Sequence, residues 1–454
     1  MPEIEFAGQS SRDPDSRAAN SCRLINCHRE KVGDKGRTRF VLRQVLGMVS
    51  FADVDAVFCR AMHWDGTYIF AAVGGYLWRI SSDGTTAQIG AITDSAETSI
   101  AGNNGLLTIT AGGTYYVWDG STLSTPGTGA FSDMGSLTFI GQRTVISERG
   151  GRRFQWSDVA DATTLGGAFA TTESRDDNNL RVLAHAGILW FLKERSIERW
   201  YETGDTTDVF APVSGGTIDV GLKSYGLVCK TPGALFFVGS DGKAYLVGSE
   251  VQPVSSVAVE TAIEQGTPDS CFYHRDEGHE FVTIHFADRP AWTFDLSMLE
   301  WHERAEGLDL DDWSATQCVE AWDNVFYIGN ILGAFSSLQR VSSDNGNPLI
   351  SQATGGSLRM DGKRFRVAEA EIWGKVGFST LDSGLTEAKV TLELSKDYGV
   401  TFGAPKERSM GKAGEYERLV KWRSLGQFRS ITPRITWSDP TDITIDATMS
   451  VRLE

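Results

Sequence analysis

The chain has 454 residues, with 43 basic and 59 acidic side chains, a formal net charge of −16, 41% hydrophobic residues and 22% charged ones. That balance excludes a disordered chain, and it counts against a protein that grips duplex DNA by neutralising phosphates, which needs a basic patch or stripe. It does not exclude DNA passing by, because a wall that repels phosphate is one along which DNA moves without sticking.

Residues 1–50 read as an extended arm. Ser10–Asn20 is polar and breaker-rich, and Lys31–Arg43 is basic, either a solvated surface or a contact to an acidic neighbour. The arm leads into a first strand at Arg39–Val45. The opening MPEIEFAGQSSRD has an acid and no apolar stretch of signal-peptide length, so export by that route is not expected. No run of 18 apolar residues occurs, so no membrane insertion is expected. Cys22, Cys27, Cys59, Cys229, Cys271 and Cys318 are scattered without a CxxC pair, which suits reduced thiols in a cytoplasm.

From residue 51 to 341 one device recurs: two alternating apolar runs joined by a tight turn. Tyr68–Val73 and Tyr76–Ile80 flank Gly74-Gly75, and Leu106–Thr110 and Thr114–Trp118 flank Ala111-Gly112-Gly113. Leu137–Ile140, Arg143–Ser147 and Arg153–Trp156 follow, then Arg181–Ala184, Ile188–Leu192 and Ser196–Tyr201. Leu235–Val238 and Ala244–Val247 come fifth. Ser256–Glu264 is the best helical candidate. In the sixth unit Glu280–Phe286 and Ala291–Leu296 meet through the turn Ala287–Pro290, with a third run centred on Trp301. Val282, Ile284 and Phe286 share one face of its first strand, Trp292, Phe294 and Leu296 one face of its second. Gln317–Trp322 and Val325–Ile328 come seventh. Spacings of roughly 35 to 50 residues predict an all-β fold, a propeller of about six or seven irregular blades.

Ser342–Gly356 is polar and Gly-rich and reads as a linker, at 342–356. Beyond it, over 357–454, longer strands are expected at Arg364–Trp373, Ala388–Ser395, Tyr416–Trp422, Arg434–Trp437 and Thr444–Leu453, enough for a C-terminal β-sandwich.

Ser395, Asp397, Gly399, Thr401 and Phe402 fit the S-x-D-x-G-x-T-aromatic hairpin found in sialidase-like propellers, the Asp box. Its role is local: Ser and Asp bond the turn backbone, Gly takes a positive φ and the aromatic packs beneath. Ser342-Ser-Asp344-Asn-Gly346 begins the same pattern without the Thr-aromatic end. His274, His279 and His285 invite a metal reading, but they have neither helical i,i+4 nor paired Cys/His ligand spacing, so no metal is expected. No Gly-rich phosphate loop and no GxSxG elbow is present, so no catalytic residue and no cofactor are assigned. The acidic clusters Glu173–Asp177 and Asp309–Asp312 suit solvated loops, and a general acid/base pair from them stays open. Asp309, Asp311 and Asp312 are candidates for lining a DNA channel.

Several stretches together carry a resemblance. Arg17–Glu30 (RAANSCRLINCHRE), Ser196–Gly204 (SIERWYETG), Gly215–Gly221 (GGTIDVG), Val251–Ile263 (VQPVSSVAVETAI), His279–Trp301, Lys421–Arg429 and Val451–Glu454 resemble, in order and spacing, the tail hub (nozzle) proteins of short-tailed phages, also called packaged-DNA stabilisation proteins. Two departures are Leu46-Gly47 in place of the usual Pro-Gly, and a turn after Phe286 without the commonest Pro. The resemblance implies a non-enzymatic virion protein, assembled in the host cytoplasm as a homo-hexamer below the portal and its adaptor. It would extend the DNA channel, retain the packaged genome and conduct it during ejection. It would touch duplex DNA transiently and non-specifically, bind the tail needle or plug, and support tailspikes or fibres. The alternatives are a β-propeller that binds or cleaves glycans in the sialidase manner, and a receptor-binding tail protein, whose usual fibrous repeats are not visible here.

Overall fold

The computed structural model describes residues 1–7, 21–33, 39–248, 250–360, 363–376, 385–412, 414–415 and 418–454. The polar stretch Ser10–Asn20 and the centre of the basic run, 34–38, lie outside the described residues.

Seven four-stranded antiparallel blades follow one another around a ring, five of them separate sheets, the sixth part of a ten-stranded sheet and the seventh part of a six-stranded one. In blade 1 the strands are Cys59–Trp64, Ile69–Val73, Tyr76–Ile80 and Thr86–Ala91. The innermost strands of the later blades are Thr98–Asn103, Met134–Ile140, Asn179–His185, Val228–Lys230, Pro268–Asp276 and Ala315–Ala321. The last of these packs on Cys59–Trp64 and completes the circle. Gly74 and Gly75 take φ of 54° and 80°, the left-handed values that a two-residue hairpin turn requires.

Because each blade is apolar on both faces, the core lies in layers between blades rather than in one central mass. Ile69, Val73 and Trp78 pack with Tyr327 and Phe335 between blades 1 and 7. Phe154, Phe191 and Trp200 form another layer between blades 3 and 4. In blade 6, Val282 faces Phe294, Ile284 faces Trp292 and Phe294 faces Trp301, so the alternation of the sequence becomes one buried aromatic wall. The helix Val257–Gln265, capped by Ser256, covers the outside of that layer with Ala258, Val259, Ala262 and Ile263.

The C-terminal domain is a sandwich of two sheets. One holds Phe365–Val376, Arg418–Phe428, Ile443–Asp446 and Thr448–Leu453; the other holds Ser351–Thr354, Glu387–Ser395, Lys406–Lys412 and Ser430–Trp437. Between them Trp422 is fully buried and donates from Nε1 to the Lys406 carbonyl at 2.7 Å. Burial of such a side chain contributes roughly 25 cal/mol per Å² of apolar surface removed from water.

The described residues among the first fifty do not lie apart as an arm. Glu3–Glu5 pairs with Thr448–Leu453, and Cys27–Lys31 and Phe40–Gln44 extend the first sandwich sheet through Ile443–Asp446. Gly47–Asp53 is the outermost strand of blade 7. Arg23–Ile25 sits between the outer strand of blade 6 and Ser351–Thr354, so one ten-stranded sheet runs from the propeller into the sandwich. The stretch read as a linker is likewise paired: Asp344 is buried against Arg304, and Ser351–Thr354 is a sandwich strand.

Candidate functional site

The Asp-box hairpin forms at Ser395 through purely local bonds. Ser395 Oγ donates to Asp397 Oδ1 at 2.6 Å and accepts from the Gly399 amide at 2.8 Å. Asp397 accepts from the Thr401 amide at 2.8 Å and from its hydroxyl at 2.5 Å. These bonds hold the carboxyl down at about 2. Gly399 has φ of 86°, and the Arg434 guanidinium lies 3.7 Å above the Phe402 ring. Every polar group of the motif is spent on the turn, and the hairpin lies in the sandwich, so the one feature that favoured a glycosidase is a folding device.

Asp309, Asp311 and Asp312 lie in the loop from blade 6 to blade 7. Asp309 and Asp311 are exposed and Asp312 is partly buried; the loop is pinned by reciprocal backbone bonds between Glu306 and Asp311 at 3.2 and 3.0 Å. The other acidic cluster is different. Asp177 is buried beside Lys193 Nζ at 3.0 Å, with Glu198 at 3.8 Å, and Ser196, the Arg195 amide and Trp200 Nε1 complete the network. Lys193 is fully buried, so these two acids hold it in place and serve no solvent-facing role.

Two of the three histidines singled out from the sequence come together, joined by two that the spacing did not flag. His274, His279, His302 and His28 surround the Phe281 ring with centroid distances of 5.2, 5.8, 5.5 and 5.2 Å. His28 comes from Cys27–Lys31 of the sandwich sheet, so the cluster sits at the joint of the two domains. Burial pushes His274 down to about 3 and His302 to about 4, and holds His28 well below its ordinary range. His279 Nδ1 donates to Asp295 Oδ2 at 2.6 Å, and that bond raises it. His285 is elsewhere, against Asp269 at 2.6 Å. Among the described residues no group of three or more His, Cys, Asp or Glu side chains is arranged to hold a metal ion. Cys27, Cys59, Cys229, Cys271 and Cys318 are free thiols, and among the described residues no helix is long and apolar enough to cross a membrane.

The innermost strands of all seven blades enclose a central cavity of about 540 Å³, far too small to pass a duplex. One mouth is narrowed by Tyr225, whose hydroxyl bonds Ser99 and whose ring lies 4.4 Å under the Arg181 guanidinium. Lys230, Arg181, His63 and Cys271 are among the groups that face the cavity. Sequence reasoning passed over Lys230 and Arg181, since their only signal was a cation at a fixed place on an innermost strand.

A family model described as bacteriophage P22 Gp10, beta-propeller, matches residues 24–334, and a second, described as bacteriophage P22 Gp10, beta-sandwich, matches residues 352–454. No curated protein matches the chain. Among solved structures, the extracellular domain of the putative hybrid two component system BT4673 from B. thetaiotaomicron is similar at a TM-score of 0.47 and 8% identity, over 64% of this chain and 39% of that one. The chain thus spans about two fifths of that protein's length. The Neurospora crassa Pan2 WD40 domain is similar at a TM-score of 0.46 and 7% identity, over 65% of this chain and 95% of that one. Neither likeness bears on function.

Proposed function

Because the chain belongs to the bacteriophage P22 Gp10 family and is therefore a structural protein of a phage tail, we propose that it forms the hub, or nozzle, below the portal and its adaptor. In this reading six copies form a ring that extends the DNA channel, retains the packaged genome and conducts it at ejection. The ring also seats the tail needle and carries spikes or fibres. The observation that supports it most is the family match to both domains in order, over most of the chain. An acidic surface fits a conduit: with −16 on each of six copies, the wall repels phosphate and keeps DNA mobile. Subunit contacts must then be locally complementary against that repulsion.

Within this reading Asp309, Asp311 and Asp312 face the DNA. Their position on a pinned loop between blades, with Asp309 and Asp311 exposed, supports the assignment. Reversing their charge should slow or stall genome exit, and an unchanged exit rate would sink the assignment. The assembly itself is tested by electron microscopy of the chain alone and mixed with the portal–adaptor complex of the same genome. A six-fold ring beneath the adaptor, with an axial opening of duplex width, is expected. A chain that never joins the complex would overturn the hub reading.

A further inference from the structure

Among the described residues, the buried cations Lys193, Arg304 and Arg29 have carboxylate partners, and so does the partly buried Arg23. Lys193 has Asp177 and Glu198, Arg304 has Asp344 at 2.6 Å, Arg23 has Glu303 at 2.7 Å, and Arg29 has Glu300 at 2.7 Å. The two cations that line the central cavity, Lys230 and the partly buried Arg181, have no carboxylate partner among the described residues. Lys230, on the innermost strand of blade 5, reaches into that cavity and is exposed to its water, while the surrounding protein, and then Arg181, hold its ammonium below the usual range. No carboxylate contributes to its surroundings, and no hydrogen bond to its ammonium is present. Arg181 donates to the Tyr225 carbonyl at 3.3 Å and stacks on the Tyr225 ring, but its Nε is buried without a partner. Among the described residues lining the cavity the one acid is Glu320, and it is taken up by Arg275.

Two like charges have therefore been brought together in a cavity of an acidic protein with nothing to balance them. In the empty state that arrangement costs free energy, since the two cations repel each other and the Arg181 Nε is buried away from water. An anion between them reverses the sign. A guanidinium fork and an ammonium suit a tetrahedral oxyanion, and about 540 Å³ leaves room for a small molecule around it. His63 and His185, both near Lys230, are held below their ordinary range by burial and then, in part, by that cation, and as neutral rings they can still donate or accept.

We propose that the centre of the propeller is a binding site for a small phosphate-bearing anion, held by Lys230 and Arg181. The cavity is too small to pass a duplex, and the site does not depend on the hub reading.

The test is thermal unfolding of the full chain at pH 7.5 and constant ionic strength, titrated with inorganic phosphate, with chloride and citrate as separate arms. Wild type should gain a saturable rise in Tm with phosphate and none with chloride. Lys230→Met and Arg181→Met should each weaken the phosphate response about tenfold or more. Without phosphate, Lys230→Met should melt no lower than wild type, because it removes an unbalanced charge; a merely structural lysine would give a lower Tm in every buffer. A wild-type response to phosphate no greater than to chloride, a response retained in Lys230→Met, or protection by citrate alone would each overturn the assignment.

Discussion

Mild acid should loosen the joint between propeller and sandwich, and the histidines around Phe281 set the size of the effect. His274 and His302 are held at about 3 and about 4 in the folded chain, against about 6.5 when unfolded. Above pH 6.5 both are neutral in both states and contribute nothing. Below it the unfolded chain takes up protons that the fold refuses, so stability falls as pH falls, by about 1.4 kcal/mol per pH unit for each histidine. At pH 5 that is about 2 kcal/mol each, or about 4 kcal/mol for the pair, against a typical domain stability of about 5–15 kcal/mol. His28, also depressed, adds in the same direction. His279, raised through Asp295, opposes, because its contribution is present below pH 6.5 and fades as pH rises through its folded value. The other charged groups at the joint, Arg304, Arg340, Arg43, Glu30, Asp276 and Glu303, already sit in ion pairs or hydrogen bonds. Urea midpoints of wild type and His274→Phe at pH 7.5, 6 and 5 test this. Phenylalanine keeps the ring against Phe281 and removes one titrating group, so the variant should lose about 2 kcal/mol less than wild type between pH 7.5 and 5. Identical pH slopes for the two proteins would refute the reasoning.

Asp177→Ala should destabilise blade 4 by about 3–5 kcal/mol, because it strips a buried lysine of its nearest carboxylate. Adding Lys193→Met should recover most of that loss, as read from denaturant midpoints. Gly226→Ala should yield little soluble protein, since a Cβ there would lie 2.0 Å from the Asp269 carbonyl, where the innermost strands of blades 5 and 6 approach. Asp397→Ala should speed hydrogen exchange at the Gly399 and Thr401 amides, at a cost of about 1 kcal/mol or less, and leave the propeller's protection unchanged. The Asp397 carboxyl, depressed to about 2, contributes above the ordinary carboxylate range and is lost only as pH falls through about 2. The hairpin should therefore outlast the histidine joint on acidification.

What could be read from the residues was whatever is local. Hairpins announced themselves through turn chemistry at Gly74-Gly75 and alternation in Val282, Ile284 and Phe286, and the Asp box closes over seven residues. Strands whose partners lie far away gave no such signal. Ser351–Thr354 is short and polar, and only pairing with Arg23–Ile25 and Ser430–Trp437 makes it a strand. Gly47–Asp53 shows little alternation because it is an outer strand with one face near water. The histidine cluster was half visible for the same reason: His274 and His279 flank one turn, whereas His28 arrives from the other domain. Lys230 looks in sequence like any surface lysine, and only closure of the ring turns it inward.

Blade 7 is completed by a strand from the beginning of the chain, and this sets a schedule for folding during synthesis. Val49 leaves the ribosome 288 residues before its partner Ser337. At about 5–20 residues per second the interval is roughly 15–60 seconds. Blades 1 to 6 can pair within themselves during that time, but Gly47–Asp53 has no edge to join. The strand Glu3–Glu5 waits longer still, for the last residues to be made. An acidic nascent chain repels its neighbours on a polysome while these edges stay open, so the net charge that suits the finished tail protein also protects it before it is finished.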